Sequence, residues 1–180
     1  MTRCESPSDW DRFIGTLEPR SGEKILDIGA GRGTVANRVL GASEGAEVYA
    51  VEPGEKKVAS MKREFPAIKS SVAGAEHLPY PDSYFDRAYT TMALHHFSDL
   101  DLALREVARV LKPGGSFVIL EVEPGSGLGR MFRFFGRLMG ERMNIMTEEQ
   151  LLAKLGTSEG LRLDNSSRAG SRYLVRLVRT

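Results

Sequence analysis

The fold of this chain is decided by a nine-residue stretch, ILDIGAGRG, which runs from Ile25 to Gly33. Its first half is apolar, as expected for a buried strand, and its second half is rich in glycine. Glycine lets the backbone turn tightly and approach a ligand where a side chain would collide. A helix that follows such a turn presents free N–H groups and the positive end of its dipole. The stretch therefore predicts a strand, a ligand-binding turn and a helix in direct succession.

Strand-like and helix-like segments alternate outward from this stretch, as far as Val122. Such alternation is typical of parallel strands joined by crossover helices. We predict strands at 24–28, 47–51, 68–72, 85–92 and 116–122, followed by two more at 161–163 and 173–178 around a turn rich in serine and glycine. The predicted class is α/β, a Rossmann-like three-layer sandwich. Its seven-stranded sheet is mostly parallel, with an antiparallel C-terminal strand.

The helices have recognisable boundaries. Capping boxes begin helices after Ser8 and after Thr147, and the latter helix extends to Leu155. Further helices are predicted at 34–40, at 55–64 and after Asp99, the last ending sharply at 112–115. At 180 residues the chain fits a single domain. We divide it into a short N-terminal helical segment (1–22), a core (23–124), a lid and helix (125–157) and a C-terminal strand pair (158–180).

Bulk properties exclude several classes of protein. The net charge of +1 gives no general attraction to nucleic acid, so no nucleic-acid partner is expected. One cysteine, Cys4, excludes an internal disulfide and a multi-cysteine metal site, so a cytoplasmic protein without a metal is expected. No segment approaches the roughly 20 apolar residues of a transmembrane helix. The N-terminus also lacks the apolar region of a signal peptide.

The main alternative for the glycine-rich turn is a dinucleotide site. Its fingerprint, G-x-G-x-x-G, requires a third glycine where this sequence has Thr34. Asp27 lies two residues before Gly29, where its charge repels a pyrophosphate but attracts a cationic ligand. Glu52 ends the second strand, nineteen positions after Gly33, where an acid can accept from ribose hydroxyls. These features favour a cofactor that combines an amino acid with a ribose.

The chain resembles the type 11, UbiE-like class I methyltransferases that use S-adenosylmethionine (SAM). The matching motifs occur in the family's order between Lys24 and Val122: D-x-G-x-G-x-G (27–33), V-E-P (51–53), A-E-H-L-P-Y-P-D (75–82), F-D (85–86), L-H-H-F (94–97) and L-K-P-G-G (111–115). The resemblance implies methyl transfer from SAM, with S-adenosylhomocysteine (SAH) as product, to a small-molecule acceptor through O, N or C. Two alternatives stay open, a non-catalytic SAM-binding module and, less favoured, a nucleotide-dependent oxidoreductase.

The resemblance also assigns cofactor-binding residues. They are Asp27, Gly29, Ala30, Gly31, Gly33, Glu52, Pro53, Ala75, Glu76 and Thr91. The glycines would approach the methionine part, Asp27 its amino group, Glu52 the ribose and Pro53 the adenine, with Ala75 and Glu76 at the edge of the adenine. Family members often have an acid where this chain has Gly74, so adenine recognition is expected from Glu76, the backbone or water.

The acceptor side is predicted from two features. His95 and His96 follow the fourth strand, where a neutral histidine can serve as general base. Residues 130–143 combine an apolar helical stripe with a basic one: Met131, Phe134, Phe135 and Leu138 against Arg130, Arg133 and Arg137. This segment is predicted to cover the acceptor as a lid. Ordinary packing, a homodimer contact and contact with a membrane surface are the alternatives.

Overall fold

The strands of the computed structural model form one seven-stranded sheet, and the structure describes residues 8–138, 145–155 and 159–180. The strands are β1 (Lys24–Ile28), β2 (Glu47–Glu52), β3 (Lys69–Val72), β4 (Phe85–Thr91), β5 (Leu111–Val122), β6 (Leu161–Ala169) and β7 (Arg172–Arg179). Their order across the sheet is β3-β2-β1-β4-β5-β7-β6. The first five strands are parallel, and β7 is antiparallel to both its neighbours. The predicted fold class is confirmed.

Helices cover both faces of the sheet. They are α1 (Asp9–Leu17), α2 (Thr34–Gly41), α3 (Glu55–Glu64), α4 (Leu100–Val110), α5 (Gly127–Leu138) and α6 (Glu148–Leu155), with a 3-10 turn at Leu94–His96. One buried cluster joins α1, α2 and α3 to the face that carries Ile25. The other joins α4 and α6 to the face that carries Leu26 and Ile28. Successive residues of β1 thus point into two cores, which gives the three layers.

Both predicted capping boxes are present. The Ser8 hydroxyl accepts from the Asp11 N–H, while the Asp11 carboxylate accepts from the Ser8 N–H. Thr147 and Gln150 exchange the same pair of bonds before α6. Each cap satisfies N–H groups that have no partner within the helix. Within the described ranges, no helix has the length and apolar character needed to cross a bilayer.

Two predicted boundaries were wrong. Helix α4 ends at Val110, and β5 begins at Leu111, not at Ser116, because the intervening residues bulge between two points of pairing with β4. Strand β6 continues to Ala169 through the segment predicted as a turn, and Gly170 makes the actual turn. This strand lies at the sheet edge with mostly exposed side chains, so it lacks the apolar alternation that identifies a strand. The predicted segment 130–143 is described only as far as residue 138, within α5, and its remainder lies outside the described residues.

Candidate functional site

A cavity of about 720 Å³ opens beside the carboxyl ends of β1, β2 and β4. The strand order reverses between β1 and β4, and ligands of open α/β sheets bind at such a switch point. Nine of the predicted site residues line this cavity: Gly29, Ala30, Gly31, Glu52, Pro53, Ala75, Glu76, Thr91 and His96. Three others, Asp27, Gly33 and His95, lie outside its lining. The cavity volume falls in the usual range for small-molecule sites.

The glycines of the turn after β1 differ in what surrounds them. A Cβ at Gly29 would lie 2.6 Å from the Cβ of Ala93, so this glycine lets the turn approach the segment after β4. Gly31 has φ +58° and would place a Cβ in open space at the cavity wall. A Cβ at Gly33 would lie 2.5 Å from the Met61 side chain, so this glycine lets α2 pack against α3. Only the first two therefore border the space that a ligand would fill.

Glu52 is buried at the end of β2, with 5% of its surface exposed. Its Oε2 accepts from the Gly31 N–H at 3.0 Å, and its Oε1 accepts from the Gly54 N–H and the Lys57 ammonium, each at 3.0 Å. A carboxylate offers about four acceptor positions, and three are used here. Because the Lys57 side chain is 56% exposed, it can withdraw and free acceptor capacity for a ligand.

Asp27 is buried beneath the turn and contacts Tyr89 of β4. Its Oδ2 accepts from the Tyr89 hydroxyl at 3.1 Å, while its Oδ1 is buried without a hydrogen-bond partner among the described residues. Burial raises the pKa of Asp27 to about 7. The hydrogen bond from Tyr89 lowers this pKa, and the charge of Glu52 raises it further. An unpartnered buried carboxylate oxygen is costly, so it is suited to a donor that arrives with a ligand.

Glu76 fastens one wall of the cavity. Its Oε1 accepts from the Ser98 N–H at 2.7 Å, the Ser98 hydroxyl at 3.0 Å and the Asp99 N–H at 3.2 Å. Burial raises its pKa, but hydrogen bonds from these backbone and hydroxyl groups outweigh burial and leave the pKa below its usual value. A Cβ at Gly74 would lie 3.0 Å from the Glu76 Oε2. The glycine that replaces the family's usual acid thus leaves room for this carboxylate.

The two neighbouring histidines occupy different surroundings. His96 lines the cavity, whereas His95 is buried, with its Nδ1 3.0 Å from the Glu121 Oε2 at the end of β5. The two imidazole rings lie 4.3 Å apart, centroid to centroid. The buried carboxylate fixes the orientation of the His95 ring. His95 in turn packs beside the histidine that borders the cavity.

Several lining residues were missed by sequence reasoning. Arg32 and Lys57 bring cations to the cavity, and Met92 adopts φ +53°, an unusual backbone conformation for a residue with a side chain. Glu121 was also missed, although an acid at the end of an otherwise apolar strand is a signal that could have identified it. The Tyr89 contact with Asp27 has no local signal, because 62 positions separate the two residues.

The residues present fit SAM, which carries an ammonium and a sulfonium group. The unpartnered Oδ1 of Asp27 and the carboxylate of Glu52 form two buried acidic centres beside the turn. Open space at Gly31 admits the ligand close to the backbone. A pyrophosphate would meet repulsion from the Glu52 carboxylate in a region of low dielectric constant, and it would offer no donor to the Asp27 Oδ1. The arrangement therefore suits a cationic cofactor better than a dinucleotide.

Known proteins share this core. A family model described as a methyltransferase domain matches residues 26–119. The 27-O-demethylrifamycin SV methyltransferase of Amycolatopsis mediterranei is 37% identical over 61% of this chain and 42% of its own length. The ubiquinone/menaquinone biosynthesis C-methyltransferase UbiE of Vibrio cholerae is 34% identical over 69% of this chain and 53% of its own length. The chain thus spans about half the length of these curated relatives.

A solved structure extends the comparison beyond the core. The SAM-dependent methyltransferase of Mesorhizobium loti superposes with a TM-score of 0.80 at 22% identity, covering 97% of this chain and 99% of that protein. At that identity the likeness concerns the fold. With the family match, it confirms the predicted Rossmann-like architecture, and the family confirms SAM as the predicted cofactor. The chain belongs to the type 11, UbiE-like family of class I SAM-dependent methyltransferases.

Proposed function

We propose that this chain transfers the methyl group of SAM to a small-molecule O, N or C acceptor by in-line displacement. The observation that carries the proposal is a single cavity bordered by the Gly29–Gly31 turn, by Glu52 and by His96. The bound cofactor supplies a methyl carbon that its sulfonium has already activated. The chain's own task is to align that carbon with the acceptor and exclude water. Positioning of this kind can contribute about 7–11 kcal/mol to lowering a barrier.

The cofactor is held from three sides in this proposal. Glu52 accepts from the ribose hydroxyls once Lys57 withdraws, and it keeps its bond to the Gly31 N–H. The Asp27 Oδ1 receives the ammonium group, directly or through water. The loop fastened by Glu76 borders the adenine. These contacts support the roles assigned to Asp27, Glu52 and Glu76.

The acceptor side is proposed to centre on His96. An acceptor that arrives protonated needs a base, and a positioned base contributes roughly 10²–10⁴-fold to rate. His96 borders the cavity, so it is the candidate that touches the acceptor. His95 acts as a positioning residue, because Glu121 fixes its ring and that ring packs on His96. The acceptor proton therefore passes to His96 and not to His95.

Helix α5 is the proposed cover of the acceptor. It follows β5 directly and presents exposed apolar side chains, with Met131 48% and Phe134 66% exposed. An apolar acceptor or a second copy of the chain would bury this surface. The net charge of +1 supports a small acceptor, since it gives no general attraction to nucleic acid. The single cysteine supports a function in a reducing cytoplasm.

Calorimetry and a turnover screen test the proposal. SAM and SAH should bind, whereas NAD and NADP should not, and SAH should form when the chain meets an accepted substrate from an acceptor library. For a hydroxyl acceptor, His96→Ala should lower kcat by about 10²-fold or more. The matched control is His77→Ala, which removes an exposed histidine that does not line the cavity. Preferred binding of NAD would contradict the proposal, and SAM binding without turnover in the whole library would favour the non-catalytic alternative.

A further inference from the structure

The buried Asp27–Tyr89 pair lies on neighbouring parallel strands, where the two residues are direct partners in the β1–β4 register. Both side chains are almost fully buried, with 1% and 0% of their surfaces exposed. The Tyr89 hydroxyl occupies one carboxylate oxygen at 3.1 Å and leaves the other, Oδ1, without a partner among the described residues. Half of the carboxylate is thus fixed by the protein and half is left for another donor.

Helix α1 holds the tyrosine in place. The Phe13 ring meets the Tyr89 ring edge-on at 5.3 Å, and both belong to the core on the α1–α3 face. The aromatic contact leaves the hydroxyl as the polar end of a rigid ring directed at Asp27. A buried carboxyl with one hydrogen bond prefers its neutral form, because few groups replace the lost hydration.

Two titratable groups act on Asp27 from adjacent strands: Tyr89 from β4 and Glu52 from β2. Burial dominates and raises the pKa of Asp27 to about 7, the Tyr89 hydrogen bond lowers it, and the Glu52 charge raises it. In the cofactor-free protein at pH 6, the Asp27 carboxyl is therefore mostly protonated. An ammonium group reverses this preference, since an adjacent cation favours the ionised carboxylate.

We propose that Tyr89 is a positioning residue for the amino-acid end of the cofactor, holding Asp27 so that the arriving ammonium group displaces one proton from the buried pair. The inference rests on the proposed function, because it takes SAM and SAH as the ligands. The proton balance is simple. Asp27 loses its carboxyl proton to the buffer, the ligand keeps its ammonium protons, and the Tyr89 hydroxyl continues to donate to Oδ2.

SAH binding measured by calorimetry tests this coupling. Between pH 5.5 and 7.5 its affinity should rise by at least about tenfold, as expected for a carboxyl that must ionise with a pKa near 7. At pH 6, titrations in buffers of different ionisation enthalpy should show release of close to one proton per bound ligand. 5′-Deoxy-5′-methylthioadenosine, which has no amino-acid part, should bind without proton release and independently of pH.

Tyr89→Phe keeps the ring against Phe13 and removes only the hydroxyl. The pH at which SAH affinity levels off should then move upward, and affinity at pH 7.5 should fall about threefold if the pKa rises by one unit. Tyr49→Phe is the matched control. It removes a hydroxyl that donates to another strand carboxylate, Glu47, at 2.8 Å, and its residue does not line the cavity. It should leave the SAH profile unchanged.

A measurement on the cofactor-free chain separates the possible failures. The ¹³C shift of the Asp27 carboxyl carbon should titrate near pH 7 in the wild type and at higher pH in Tyr89→Phe. Binding of SAH that does not vary with pH, or a Tyr89→Phe profile identical to the wild type, would overturn the inference while leaving the proposed function intact. Absence of SAM and SAH binding at every pH would overturn the proposed function itself.

Discussion

The cofactor cavity and the segment that follows β5 differ in how they are built. On the cofactor side, backbone turns and strand-end acids from β1 and β2 are fixed by hydrogen bonds, as at Glu52 and Gly31. On the other side, the chain beyond β5 presents exposed apolar residues such as Phe134, and the family model ends at residue 119. The difference fits our proposal that cofactor recognition resides in strand ends common to the family and acceptor recognition in the segment that follows them.

The largest effect on SAM binding should come from Glu52→Gln. The amide loses the charge and one acceptor oxygen, while the donors of Gly31, Gly54 and Lys57 remain. Hydrogen bonds to charged groups contribute about 1.5–3 kcal/mol, so the SAM Kd should rise about 10- to 100-fold in calorimetry. Glu47→Gln, at the opposite end of the same strand, is the control and should leave the Kd unchanged. Equal losses of SAM affinity in both variants would show that the carboxylate at the end of β2 has no specific role in binding.

The buried Asp27 of the cofactor side should lower the stability of the fold at neutral pH, which is the second largest effect. Burial raises the folded-state pKa of Asp27 to about 7 from its ordinary value of 3.8, so the folded protein retains a proton that the unfolded chain releases. This group therefore stabilises the fold at low pH relative to high pH, and the stability is lost as pH rises from about 4 to 7. Asp27→Asn removes the carboxyl that titrates, so the variant does not lose this stability as pH rises. Above pH 7 it should raise the free energy of unfolding by about 1–3 kcal/mol, less than the full shift because the amide hydrogens lack partners.

Urea denaturation at pH 5 and pH 8 checks this sign. The gain from Asp27→Asn should be larger at pH 8, while SAM affinity falls. Asp86→Asn is the opposite case, because hydrogen bonds from Lys112 and the Lys24 N–H outweigh burial and leave the pKa of Asp86 below its usual value. That variant should lose stability above about pH 4. If Asp27→Asn were less stable than the wild type at pH 8, the Asp27 carboxylate would stabilise the fold, contrary to the prediction.

The same contrast explains what the sequence could predict. The glycine spacing and Glu52 are local signals, and together with the motifs that resemble the family they account for the nine predicted residues that line one cavity. The contact between His95 and Glu121 joins the turn after β4 to the end of β5, and such a contact depends on strand register. Local patterns do not specify register. The bulge at the start of β5 escaped prediction for a related reason, since Pro113 and Gly114 have the composition of a turn and the pairing partners lie on β4.

Gly31→Ala should have the third largest effect. The added methyl group enters open space at the cavity wall, at a residue with φ +58°. We expect about tenfold weaker SAM binding and a loss of about 1 kcal/mol of stability from the left-handed conformation. Gly170→Ala is a matched control, with φ +56° and open space in the β6–β7 turn. It should lose similar stability in thermal denaturation and keep its SAM Kd. Unaltered SAM binding in Gly31→Ala would show that the ligand does not approach this turn.

The smallest effect should come from Phe134→Ser on α5, and it tests the other half of the comparison. Full burial of such a side chain contributes about 1.5–3 kcal/mol, and partial cover of an acceptor should use a fraction of this. We therefore expect the acceptor KM to rise about three- to tenfold with the SAM Kd unchanged. Leu163→Ser, which alters an exposed residue of the edge strand, should change neither. Sedimentation of both variants separates the roles of α5, because a homodimer contact would lower the mass of Phe134→Ser alone. A weaker SAM Kd in Phe134→Ser would place this helix on the cofactor side and erase the division between the two regions.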